Sequence, residues 1–288
     1  MTLLIDTPPG ASGLVVQRCS LWGYNAIGVV SEDAAIAVDP GITPEEIASF
    51  RAALEAGGHR RVTHVVLTHS HHDHIRGWNA FPGAEIVAPL TVAAKPENSK
   101  RRILAGKAKV DERMGVDDAA FTYPTVDRTF EDACTLSVGE VSLELRSLPG
   151  HSDCTSVVIV PELQALLSAD YLVSPGLPYC RWEAAPFEKA HHQLRAWITE
   201  FDLQQVIPAH NELITDQASA LAAIEEELSY FRFLREEVSR QQARGISDDK
   251  ILRGCAEAMG ARRGVDLGPK ARQDADNARR VLKGQVDA

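Results

Sequence analysis

Short runs of aliphatic and β-branched residues, each closed by turn residues, fill the first 90 positions and return from 134 to 170. The runs "LVVQRCS", "NAIGVV", "AAIAVDPG", "THVVLT" and "AEIVAP" predict five strands. A helix is expected over "TPEEIASFRAALEAGG", with Thr43 as its cap, Pro44 at its first position and Glu46 at the capping-box position. From 134 the runs "CTLSVG", "VSLELRSLPG", "SVVIVP" and "ALLSAD" read as further strands, and "QQVIPAH" as one more.

The period then lengthens. Phe187, Ala190, Leu194, Trp197, Ile198 and Phe201 fall on one face of a helix over 187–201. Beyond 216 the pattern is helical throughout: Leu221, Ile224, Leu228, Phe231, Leu234 and Val238 form one apolar stripe, and two more helices are expected near 247–259 and 269–284. Residues 95–125 are charged and weakly patterned, open to either a short helical insertion or a flap over the site. The expected organisation is an α/β catalytic body over 1–215 and a helical C-terminal region over 216–288.

Composition sharpens this only in part. A chain of 288 residues with 44% hydrophobic and 24% charged residues is long enough for a sizeable core. A net charge of −10 argues against a broadly basic, nucleic-acid-binding surface. No apolar run approaches the roughly 20 residues needed to cross a bilayer, and the stretch "MTLLIDTPPGASG", with an acidic residue at position 6 and no basic n-region, does not read as a secretory signal. Five scattered cysteines without a C-x-x-C pair fit reduced thiols, so the expected location is the cytoplasm, away from membranes.

Chemistry concentrates at "THSHHDH", where four of ten histidines occupy six positions. The frame His69-x-His71-x-Asp73-His74 puts His69 and His71 on one side of an extended segment, with Asp73 and His74 in the turn that follows. His72 lies off that frame. Two ligands per metal do not complete a catalytic site, and further donors are needed. His151 follows a strand and a Pro-Gly turn, Asp170 ends the strand "ALLSAD", and His210 ends "VIPAH". Each stands at a strand's C-terminal end or in the loop beyond it, where α/β proteins collect functional residues.

This ordered set resembles the metallo-β-lactamase superfamily over roughly residues 13–215. The resemblance implies an αββα sandwich carrying a helical appendage. It implies that His69, His71 and His151 hold a first divalent metal, that Asp73, His74 and His210 hold a second, and that Asp170 bridges them. Zinc is the expected metal, with iron or manganese as alternatives. Two positions depart from the family pattern. Ala169 stands where glycine usually precedes the bridging aspartate, and His210 sits in "PAHN" rather than a glycine-flanked run.

Such a centre makes hydroxide available near neutral pH, because metal-bound water has a pKa of about 7. The expected activity is metal-dependent hydrolysis in which that hydroxide attacks a carbonyl, foremost of an acyl thioester, as in the glyoxalase II-like branch. Asp73 would also orient the nucleophile. The alternatives are a lactonase or other carboxylic ester hydrolase and an iron-dependent sulfur dioxygenase. Nuclease and flavodiiron relatives carry added domains that this chain does not resemble, and secreted β-lactamases carry an export signal.

Tyr171, Tyr179, Arg181 and Trp182 follow the bridging aspartate and are candidate substrate contacts. Residues 261–288 hold seven basic and four acidic side chains, a patch suited to coenzyme A phosphates or an acidic carrier protein. A solvated terminal helix is the competing reading of that patch. The expected partner is a small acyl substrate, free or carrier-bound.

Overall fold

The computed structural model describes residues 2–118, 121–173, 176–263 and 270–286. Parts of two expected features, the 95–125 segment and the basic tail, lie outside the described residues at 119–120, 264–269 and 287–288, as do positions 174–175 between Tyr171 and Tyr179. The chain divides into two compact units. The first comprises Met1–Leu148, Cys154–Ala169 and Val206–Leu213; the second comprises Pro149–Asp153, Asp170–Gln205 and Ile214–Ala288.

In the first unit, β1 (Thr2–Ile5), β2 (Gly13–Arg18), β3 (Asn25–Val30), β4 (Ala34–Val38), β5 (Arg61–Val66), β6 (Glu85–Pro89) and β7 (Arg128–Phe130) form one sheet in sequence order. Pairing is antiparallel from β1 to β4 and parallel from β4 to β7. The parallel steps need crossovers. The first is α1 (Pro44–Glu55), and the last contains α2 (Leu90–Ala93) and α3 (Glu97–Met114). A second sheet runs in the order β12 (Gln205–Pro208), β11 (Ala165–Ala169), β10 (Ser156–Val160), β9 (Val141–Ser147) and β8 (Ala133–Val138).

Strand period two divides the side chains of the first sheet between two cores. Leu14, Val16, Ile27, Val29, Ile36, Val38 and Val66 face the second sheet and pack with Leu143, Leu145, Val158, Val160 and Leu167. Their neighbours Val15, Ala26, Val30, Ala35, Ala37 and Val65 turn the other way, onto Phe50 and Leu54 of α1. Helix α1 approaches closely because β3 carries Gly28, where a Cβ would stand 2.2 Å from Leu54 Cδ2. The capping box forms as the residues predict: Glu46 N donates to Thr43 Oγ1 at 3.3 Å and Thr43 N to a Glu46 carboxylate oxygen at 3.2 Å.

The 95–125 segment is helical over the 18 residues of α3. Its buried positions are Lys107 and Asp111 instead of an apolar stripe. Asp111 lies 2.6 Å from Arg76 Nη1 and 2.6 Å from Lys107 Nζ, and Lys107 also reaches Asp118 at 2.6 Å. An ion-pair network therefore docks this helix. Strands β1 and β7, of four and three residues, are additions to the elements that the sequence pattern predicts.

The second unit is mainly helical, with α4 (Ala184–Glu200), α5 (Gln217–Ala243), α6 (Asp248–Arg262) and α7 (Ala271–Val286). Phe187, Leu194 and Ile198 of α4 and Ile224, Phe231, Leu234 and Val238 of α5 are buried, as their spacing predicts. Phe187 and Phe231 meet with ring centroids 5.1 Å apart. Ile251, Cys255 and Met259 of α6 and Ala278, Val281 and Leu282 of α7 are buried in the same unit. The architecture is thus α/β, two sheets with flanking helices and a helical C-terminal region. No helix among the described residues is long and apolar enough to cross a membrane.

Candidate metal centre

Each predicted donor leaves the C-terminal end of a strand: His69 to His74 follow β5, His151 follows β9, Asp170 follows β11 and His210 follows β12. In the first unit, ligand atoms of Asp73, His74 and His210 all lie within 4.8 Å of one another. Asp73 Oδ2 is 3.3 Å from His210 Nε2 and 3.8 Å from His74 Nε2. His69 Nε2 and His71 Nδ1 approach to 2.9 Å. In the second unit, His151 Nε2 lies 3.0 Å from Asp170 Oδ2.

A common device orients these rings. In each of four histidines Nδ1 is held by a neighbouring oxygen, so that Nε2 is the nitrogen turned to the other donors. His74 Nδ1 is 2.8 Å from Asp39 Oδ2, His69 Nδ1 is 3.0 Å from Thr68 Oγ1, and His210 Nδ1 is 3.1 Å from the Trp22 carbonyl. His151 Nδ1 is 2.6 Å from the Tyr179 carbonyl. Outer acceptors of this kind fix the tautomer of metal-binding histidines and raise their basicity. Burial by itself would raise the Asp73 carboxyl, but the His74 and His210 charges and the His210 hydrogen bond hold it well below the usual carboxylate range. Imidazoles and carboxylates converging in this way fit a divalent cation.

Asp39 is the residue that the sequence reading missed. It follows β4 in "AVDPG", the same strand-end context that marked Asp170, so the signal was present. Its carboxylate is buried and accepts from Thr68 N at 2.8 Å, from Thr68 Oγ1 at 2.5 Å and from His74 Nδ1. Asp39, His69 and His74 also offer donor atoms within 4.8 Å. Since the Asp39 oxygens already accept three hydrogen bonds, the carboxylate acts as a support for His74.

The two departures from the family pattern have backbone explanations. Ala169 adopts φ +50°, a left-handed conformation that favours glycine, and its carbonyl accepts from Ala209 N at 2.8 Å. Asn211 sits at φ +69° after His210, and asparagine is among the few other residues that tolerate this region. Its amide donates to the Gly23 carbonyl at 2.7 Å.

The expected substrate contacts are placed differently from one another. Tyr171 is fully buried, and its hydroxyl accepts from His151 N at 3.0 Å, a scaffold position rather than a surface one. Burial pushes its phenol well above the ordinary tyrosine value. Arg181 is exposed and its guanidinium stacks 4.8 Å over the ring of half-buried Tyr179, while Trp182 is half-buried. Trp22 adds a group that periodicity could not reveal: it is 45% exposed at φ +54°, with its indole 5.9 Å from the His72 ring. His72 makes no close ligand contact, its Nδ1 standing 4.0 Å from Asp73 Oδ1, and burial lowers its pKa.

Comparison with known proteins agrees with this chemistry. The family model described as the metallo-beta-lactamase superfamily matches residues 21–221. A hydroxyacylglutathione hydrolase of Francisella tularensis subsp. holarctica is 26% identical over 227 residues, covering 77% of this chain and 75% of that protein. Among solved structures, a metallo-beta-lactamase family protein from Thermus thermophilus superposes with TM-score 0.65 at 17% identity, covering 96% of this chain and 94% of that one. A metallo-beta-lactamase from Pontibacter korlensis gives TM-score 0.58 at 20% identity, covering 79% of this chain and 99% of that one.

Proposed function

Since the chain belongs to the metallo-beta-lactamase superfamily, we propose that it hydrolyses a carbonyl compound, foremost an acyl thioester, at two divalent metal ions. The observation that carries this reading is the set of His and Asp donors whose rings are oriented from behind by Asp39, Thr68, Trp22 and Tyr179. His69, His71 and His151 would hold one ion, Asp73, His74 and His210 the other, and Asp170 would serve both. Zinc suits this donor set, as do iron and manganese.

A divalent ion in such a site acts as a Lewis acid and lowers the pKa of water toward 7. The chain's own residues do the rest. In the metal-free chain the His74 and His210 charges hold Asp73 well below the usual carboxylate range, and as a carboxylate it can accept a hydrogen bond from the attacking water. Tyr179, Arg181 and Trp182 contact the substrate in this reading, with Arg181 supplying the charge that an anionic acyl carrier needs. Tyr171 contributes indirectly, by holding the His151 backbone.

Similarity to a hydroxyacylglutathione hydrolase supports a thioester over other carbonyl substrates. Basic side chains of α7, such as exposed Arg272 and Arg279, are compatible with a coenzyme A or acidic carrier-protein moiety. A panel of acyl-coenzyme A thioesters, acyl-glutathiones and homoserine lactones, run with metal analysis, tests the assignment. Thiol release with about two metals bound is expected, and Asp73→Ala or His151→Ala should abolish it. Lactone opening alone, oxygen uptake with a persulfide, or full activity without metal would each overturn the thioesterase reading.

A further inference from the structure

We propose that the C-terminal helix α7 sets the orientation of His151 through one peptide group, with Asn277 as the positioning residue. This rests on the reading of His151 as a metal ligand. The peptide joining Tyr179 to Cys180 is bonded at both ends. Its carbonyl stands 2.6 Å from His151 Nδ1, and its N–H donates to Asn277 Oδ1 at 3.2 Å. A trans peptide is planar, with C=O and N–H pointing in opposite directions. Fixing the N–H from one side therefore aims the carbonyl on the other, and the carbonyl decides which imidazole nitrogen carries the proton.

Further bonds keep that peptide from rotating. Asn277 Nδ2 donates to the Pro178 carbonyl at 2.6 Å, and Gln273 Nε2, one helical turn earlier, donates to the Leu177 carbonyl at 2.9 Å. The backbone of His151 is tied to the same loop, since its carbonyl accepts from Arg181 N at 2.9 Å. Asn277 and Asp274 are fully buried, and Cys180 and His151 are 1% exposed, so bulk water does not substitute for a lost partner.

The orientation of the Asn277 amide follows from its surroundings rather than from assignment alone. Tyr230 donates its hydroxyl proton to Asp274 Oδ1 at 2.9 Å, and Asp274 is paired with Arg263 at 3.0 Å. The Tyr230 oxygen can then only accept, which it does from Asn277 Nδ2 at 2.9 Å. Burial, and then the Asp274 charge, push the Tyr230 phenol well above its ordinary value, so it remains a donor at working pH. Asn277 must therefore present its oxygen to Cys180 N. Ala278, Val281 and Leu282 give α7 its apolar burial, and the polar face of Gln273 and Asn277 is what reaches the loop.

The experiment uses the full-length protein, stripped of metal and titrated with cobalt(II). It reads affinity and the cobalt absorption bands beside urea unfolding of the metal-free chain. Outer-shell substitutions typically cost 10–100-fold in metal affinity, and Asn277→Ala should weaken cobalt binding about tenfold and shift the bands. Gln273→Ala should shift them less, in the same direction, and decides the matter if Asn277→Ala does not fold. Leu282→Ala should lower stability without altering them. Unchanged bands and affinity in Asn277→Ala and Gln273→Ala, or an equal shift in Leu282→Ala, would overturn the proposal. His151→Ala separates the two levels: if it binds cobalt like the wild type, the ligand assignment fails and this inference with it. If His151→Ala loses cobalt while the Asn277 and Gln273 variants do not, only the positioning role fails.

Discussion

Replacing Asp39 with asparagine perturbs the metal centre without touching a proposed ligand. Asparagine matches aspartate in shape and tolerates the φ of +47° at this position, so the backbone does not confound the result. One carboxylate oxygen accepts from Thr68 N, and the other takes both Thr68 Oγ1 and His74 Nδ1. If the amide oxygen keeps the Thr68 N contact, an NH₂ group faces His74 Nδ1. That nitrogen must then become the acceptor, and its proton moves to Nε2, the atom turned toward Asp73. The charge-assisted bond is lost, at about 1.5–3 kcal/mol in stability, and metal binding must first reverse the tautomer. The expected loss is about 10–100-fold in metal affinity, which is about 1.4–2.7 kcal/mol. Chelator competition with zinc, alongside urea unfolding of the metal-free protein, separates the two effects. A metal affinity within about threefold of the wild type, well short of the tenfold lower bound, would refute the argument that Asp39 governs His74.

Other perturbations test the packing that carries the site. Asp111→Asn should cost about 3–5 kcal/mol at pH 7 because Arg76 is left buried without its counter-charge, while Lys107 keeps Asp118. Burial opposes ionisation of Asp111, but the Lys107 and Arg76 hydrogen bonds and charges outweigh it and lower the pKa. Its stabilising effect is therefore complete above the ordinary carboxylate value of about 3.9 and fades as the pH falls below it. Chemical denaturation of both forms against pH should show the gap narrowing only there, and a constant gap would contradict the network. Ala169→Gly should relieve left-handed strain of about 1–2 kcal/mol against a glycine entropy cost of about 0.4–1 kcal/mol, a small net gain measurable as a raised Tm. Gly28→Ala should cost about 1–3 kcal/mol by overpacking against Leu54, and adding Leu54→Ala should give a double mutant better than the sum of the two losses.

Much of this molecule is written locally. Strand period two in Leu14–Val16 and Ile27–Val29, the Thr43–Glu46 box and the stripe from Ile224 to Val238 depend on residues only a few positions apart, so they can be read from spacing. The frame His69-x-His71-x-Asp73-His74 is local for the same reason, and His151, Asp170 and His210 stand out because each closely follows a recognisable strand. Helix α3 was harder to read because its buried side chains are Lys107 and Asp111, whose partners Arg76 and Asp118 lie outside it, so no apolar period marks it. Strands β1 and β7 are too short to show a period.

What tertiary structure alone decided is which oxygen stands behind His74, His151 and His210. Asp39 reaches His74 across 35 positions and the Trp22 carbonyl reaches His210 across 188. Asn277 meets Cys180 across 97. Hydrogen bonds of this kind form between any donor and acceptor that folding brings within about 3 Å, and main-chain carbonyls occur at every residue, so nothing in their spacing announces them. The sequence by itself determined which residues can bind a metal. The fold determined which nitrogen His74, His151 and His210 offer to it.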